Sequence, residues 1–168
     1  MSPDAIVRWG NGGETVLNWI RVLHRGTADG ALWAALTDEL RLAVSQLYLM
    51  SVGSGNDDAR AARLARLGST DSSFQPMLHR QCQAWRRTFL SLARGADLIT
   101  TVPVGSDMEM VTVAGRPAQP GCGDRQPPLH RFLVQHDRHG TALAAIGHKL
   151  LMPGWPPIQW SIPNLLES

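Results

Sequence analysis

The chain has almost no lysine: Lys149 stands alone among sixteen basic residues, so the rest are arginines. That skew points to a GC-rich coding genome. The arginines are spread along the chain and the net charge is only +2, whereas a nucleic-acid footprint needs clustered charge. There are two cysteines, Cys82 and Cys122, one inside a helical pattern and one in a Gly/Pro stretch. Two unmatched thiols imply a reducing compartment with no structural disulfide. No run approaches eighteen apolar residues, and the first residues, MSPDAIVRWGNGGETVL, lack a basic segment followed by an apolar one. A soluble, unexported, cytoplasmic protein is expected, with no membrane partner. Also missing are His-Glu-x-x-His, Cys-x-x-Cys, a serine elbow and a lysine-bearing phosphate loop. Gly10-Asn11-Gly12-Gly13 precedes a helix but has neither the lysine nor the preceding strand that phosphate binding requires. No metal or other cofactor is expected.

What is present is the balance of an ordinary folded domain. At 168 residues, 43% apolar and 18% charged, the chain suits a single α+β domain over 1–168, large enough for one core. Residues 1–13 read as a loose N-terminus, 115–128 as a Pro/Gly connecting loop and 152–168 as an irregular tail. The first half is helical. Val16, Leu17, Trp19, Ile20 and Leu23 form one face, closed by Gly26. Thr37 is an N-cap, with Asp38 and Glu39 in the first turn, for a helix carrying Leu40, Val44, Leu47 and Met50. Residues 59–67 make a short helix whose arginines face solvent. Pro76 opens a long helix to Arg94 with the stripe Leu78, Cys82, Trp85, Phe89 and Leu92, a pattern that marks core more than a cofactor groove.

From residue 96 the period shortens to that of strands. Residues 98–102 form one strand. In the next, Met108, Met110 and Thr112 alternate with Glu109, Val111 and Val113. The organising stretch is PLHRFLVQHDRHGTALAAIGH from Pro128, a hairpin turning at Asp137-Arg138-His139-Gly140. With Gly140 left-handed in a three-residue loop, Asp137 pairs with Thr141, Val134 with Ala144, Phe132 with Ile146 and His130 with His148. A two-residue turn would pair His130 with Gly147 instead. Helices followed by antiparallel strands argue for N-terminal helices packed on a curved antiparallel sheet that is closed by the C-terminal hairpin.

Trp33 to Gln46, Val104 to Val111 and the closing hairpin through Pro153-Gly154-Trp155-Pro156-Pro157 carry a resemblance. In the order of its elements the chain resembles small actinobacterial proteins and the nuclear-transport-factor-2-like superfamily, the cone of helices on a curved sheet that includes SnoaL-like cyclases and ketosteroid isomerases. The resemblance spans roughly residues 30–157 and implies a pocket between helices and sheet. The isomerases' tyrosine and two aspartates have no counterpart, since the one tyrosine is Tyr48 in unsuitable surroundings.

Within that frame the candidate catalytic residues are Glu109, His130 and His148. Glu109 sits mid-strand among apolar residues, where burial would favour a general acid or base, although pairing with Arg131 on a neighbouring strand would make it structural. His130 and His148 across the hairpin suit an acid/base pair or two metal ligands, but no third ligand is set by spacing. Candidate ligand-binding residues are Trp85, Phe89, Met110, Phe132 and His136. The leading expectation is a small-molecule binding or protein-interaction domain, homodimeric through the sheet face that carries Leu129, Leu133 and Leu143. The alternative is a cyclase, isomerase or dehydratase using a pocket carboxylate and histidine.

Overall fold

The computed structural model describes residues 12–116 and 127–162 of the chain. Among them five α-helices precede a four-stranded antiparallel sheet and a two-stranded hairpin, an α+β fold with its helices N-terminal to the sheet. Residues 1–11, Cys122 and the loop around it, and the tail beyond 162 lie outside the described residues.

Helix α1 (Gly12–Arg25) buries Val16, Trp19, Ile20 and Leu23 of the expected face and leaves Leu17 only partly buried. It begins two residues earlier than a loose 1–13 segment would allow. Gly12 and Gly13 are its buried first residues and pack closely: a Cβ on Gly12 would fall 1.5 Å from Glu109 Oε1, and one on Gly13 would fall 2.9 Å from the end of the Leu98 side chain, so either would force that side chain to move. After the short α2 (Asp29–Ala34), α3 (Asp38–Ser51) starts at Thr37, whose side chain accepts from Leu40 N at 3.2 Å. Its buried face runs through Leu40, Ala43, Val44 and Leu49, and leaves Leu47 and Met50 exposed. The stripe is therefore rotated from the expected one. Helix α4 (Asp58–Leu67) is capped by Asp57 and buries only Ala61, Leu64 and Ala65.

Helix α5 (Gln75–Thr88) has Pro76 in its first turn, and it stops six residues short of Arg94. Thr88 Oγ1 donates back to Ala84 O at 3.0 Å, and a 3-10 turn (Leu90–Leu92) follows. The tighter turn brings both Phe89 and Leu92 into the core while Leu90 faces water.

The strands are β1 (Ala96–Val104), β2 (Met108–Gly115), β3 (Leu129–Asp137) and β4 (Gly140–Ile146), ordered β1-β2-β3-β4. Alternation in β2 sorts its side chains as expected. Val111 and Val113 join Phe132, Val134, Phe89 and Trp19 in the large helix-side core, while Met110 packs with Leu133 and Ile162 on the other face.

The closing hairpin corrects the expected register near its turn. Asp137 pairs with Gly140 and His136 with Thr141, around a two-residue loop at Arg138-His139. Gly140 has φ +134°, open to glycine alone. The expected pairing returns at Phe132↔Ile146, because the ladder shifts at Leu133/Val134. The unpaired residue is Ala144, and it lies with Ala145 in the outer cluster, as a bulge permits. Val134 therefore faces Leu143, and it is Leu143, not Ala144, that enters the helix-side core.

Through residue 162 the tail is regular where an irregular segment is expected. Strand β6 (Ile158–Ser161) pairs antiparallel with β5 (Lys149–Met152), so the Pro-rich stretch between them is a hairpin loop. Gly154 N donates to Gln46 Oε1 (2.8 Å) and Trp155 Nε1 to Asp58 Oδ1 (2.6 Å), which ties that loop to α3 and α4. The outer edge of β4 is covered by the segment entering α3, where Thr37 N donates to Leu143 O and Leu143 N to Ala35 O, both at 2.9 Å. At the other edge β1 is exposed along Asp97 to Pro103.

Candidate functional site

Strand parity places Glu109 on the helix side of the sheet beside Val111, and puts His136 on the same side next to Val134. Glu109 Oε1 lies 3.3 Å from His136 Nε2, and the residues are 2% and 8% exposed. Above them sits the glycine start of α1. Thr15 of that helix bonds Thr141 hydroxyl to hydroxyl at 2.6 Å, and Thr141 is the cross-strand partner of His136. Arg131, the alternative partner for Glu109, pairs with Thr112 on β2 and so projects from the opposite face. A carboxylate against an imidazole can hold or pass a proton. Neither residue lines any of the four best-formed clefts.

His130 and His148 stand at the far end of the hairpin. His130 is half-buried, with Nε2 2.9 Å from Ser91 Oγ and its ring edge-on to Phe89 at 5.2 Å. Its pKa is lowered from 6.5, first by burial and then by the nearby charge of His148. His148 is exposed in the bend after β4. The structure thus brings His130 near His148 and Glu109 against His136, as two separate pairs. No three His, Cys, Asp or Glu side chains converge as metal ligands among the described residues.

The candidate ligand-binding residues do not share one space. Phe89 and Phe132 are buried against each other at 5.1 Å, Met110 is across the sheet and His136 is with Glu109. Only Trp85 reaches a cleft. That cleft, about 400 Å³, lies between α3, α5 and the β5-β6 hairpin. Leu40, Val44 and Leu47 form one wall, Met77 and Trp85 a second, and Ile146 and Leu151 the floor. Its polar groups are Tyr48, Ser51, Gln81 and Gln159, and its single charged residue is Lys149. Leu47, read from the sequence as core, is 38% exposed because it faces this opening. Of the residues that sequence reasoning passed over here, Lys149 alone carried a signal, as the one lysine of the chain.

A second cleft, about 420 Å³, gathers Arg21, His24 and Arg25 of α1 with Arg116 after β2. This arginine cluster exists only in three dimensions. Arg116 is held by Asp97 at 2.9 Å, and no phenylalanine, tyrosine or tryptophan lines the cleft to stack a base. His24 Nε2 meets Phe89 O at 3.1 Å. Burial, the largest influence, pulls its pKa below 6.5 against that bond.

Partly buried Asp29 links α2 to α5. Burial alone would raise its carboxyl, but bonds from His79 (2.9 Å) and Arg86 (3.0 Å) outweigh that and hold it below the ordinary 3.8. The neighbouring Cys82 thiol is pushed up to about 12 by burial and by Asp29, and is therefore unreactive. No helix among the described residues is long and apolar enough to cross a membrane. Compared with known proteins, the chain matches no family model, and neither a curated protein nor a solved structure is significantly similar to it.

Proposed function

We propose that this protein binds a small, largely apolar molecule in the cleft between α3, α5 and the β5-β6 hairpin. One observation carries the reading: apolar side chains from four elements wall a space of about 400 Å³, within the range that small-molecule sites occupy. Helices followed by a sheet, with the cleft between them, support kinship with the nuclear-transport-factor-2-like cone. Free Cys82 in the core accords with a cytoplasmic setting. A second copy would pair along the edge of β1, where Leu98, Ile99 and Val102 are exposed. The face first expected to carry a dimer is less suited, since Leu133 is buried under Ile162 and Leu143 points to the helices.

The enzymatic alternative has one observation in its favour, the buried contact of Glu109 with His136. We read this pair as structural, because the start of α1 covers it and no described cleft leads to it. The binding reading is tested with the neutral fluorophore N-phenyl-1-naphthylamine. Its emission should rise on titration of the protein, and Leu47→Trp, which fills the cleft mouth, should abolish the rise with little change in melting temperature. An unchanged titration in that variant, or none in the wild type, refutes it.

A further inference from the structure

The cleft is chemically lopsided. Twelve residues line it, and Lys149 is the only one among them that carries charge at neutral pH. No aspartate or glutamate faces it, and Lys149 makes no ion pair among the described residues. Position in β5 explains the aim of the side chain. Lys149 and Leu151 alternate onto the cleft face of the strand, and Leu150 between them packs against Met110 and Leu133 on the other. Lys149 is an exposed residue of this lining, which it shares with Ile146 and Leu151, and the rest of the lining is apolar or neutral.

An unpaired cation costs little in water and gains little there. Placed beside apolar walls that exclude water once a ligand enters, it strengthens its attraction for one opposite charge. A lysine is a point charge without the fork that selects phosphate or paired oxygens, so it suits a single monoanionic head. The neutral groups Tyr48, Ser51 and Gln159 can hydrogen-bond a head or its bridging waters without repelling it.

Resting on the cleft reading above, we infer that the ligand is an anionic amphiphile, its apolar chain laid against Val44, Met77 and Trp85 and its carboxylate at Lys149. A neutral or cationic molecule of the same shape would leave the one charge of the site unanswered or oppose it.

The experiment displaces bound N-phenyl-1-naphthylamine with decanoate and, in parallel, with its uncharged methyl ester. Wild-type protein should take decanoate about tenfold more tightly than the ester, the lower end of what a hydrogen bond to a charged group contributes. The preference should shrink as salt is added. Lys149→Met should remove it while leaving ester affinity unchanged, and Lys149→Arg should keep it. Equal displacement by the two compounds, or a preference that survives Lys149→Met, overturns the inference and leaves the binding reading standing. So does fluorophore binding that neither compound competes with. A failure of the fluorophore itself to bind takes down the binding reading, and this inference falls with it.

Discussion

Truncating Phe89 to alanine removes the ring that joins the end of α5 to the sheet. That ring is 1% exposed and lies 5.1 Å from Phe132, 5.2 Å from His130 and 6.4 Å from Trp19. A buried phenyl keeps roughly 150 Å² from water, which at about 25 cal/mol per Å² amounts to about 4 kcal/mol. The surrounding rings are held by α1 and β3, so the space left behind cannot collapse fully. Expected destabilisation is about 3 to 5 kcal/mol, and a melting temperature lower by roughly 6 to 20 °C for a domain of this size. Urea denaturation followed by tryptophan fluorescence reads the free energy, and an unchanged m-value would show that the comparison is sound. Leu90, one residue on, is the control: it is 68% exposed, and its alanine variant should stay within about 0.5 kcal/mol of wild type. A Phe89→Ala loss below about 1 kcal/mol, or one equal to that of Leu90→Ala, would mean that the sheet and α5 do not share a core.

Gly115 has no room for a side chain, since a Cβ there would meet Ser91 O at 2.1 Å. Gly115→Ala should cost about 1 to 3 kcal/mol through displaced backbone, and wild-type thermal stability would contradict the packing. Removing either Glu109 or His136 should cost about 3 kcal/mol, with the double variant losing less than the sum of the singles. Strict additivity in that cycle would show that the two do not interact. His24 and His130 both have folded pKa values below 6.5. The unfolded chain therefore binds their protons first, and the stability they contribute is present above about pH 6.5 and lost as pH falls through the folded values. Melting temperature followed from about pH 8 to about pH 5 should fall, less steeply in His24→Gln and His130→Gln variants; identical slopes would refute the assignment. Sedimentation at micromolar concentration should show a dimer that Ile99→Lys dissociates, and an 18.4 kDa species alone in the wild type would exclude pairing through β1.

Local patterns determined a good deal of this protein. Thr37 as a cap, Gly26 and Gly53 as helix stops with φ +82° and +71°, and the parity that puts Glu109 with Val111 all follow from interactions within a few residues. Those are the interactions that a linear reading captures. The α+β order was legible for the same reason, because helix and strand periods differ.

The rest depended on partners distant in the chain. Whether Ala144 bulges is set by what must be buried on both faces of the sheet at once, so the hairpin could count two residues in its turn and still return Phe132 to Ile146. Gly12 reads as part of a loose N-terminus until Glu109, nearly a hundred residues on, is seen where its Cβ would have to go. Glu109 and His136 were both visible as candidates, but their contact needed β2 and β3 in register. The cleft belongs wholly to the tertiary structure: its lining comes from residues 40 to 159, mostly ordinary apolar side chains that become part of a site only because packing leaves a gap between them. Composition singled out Lys149, and the fold decided that this one ammonium would stand at that gap.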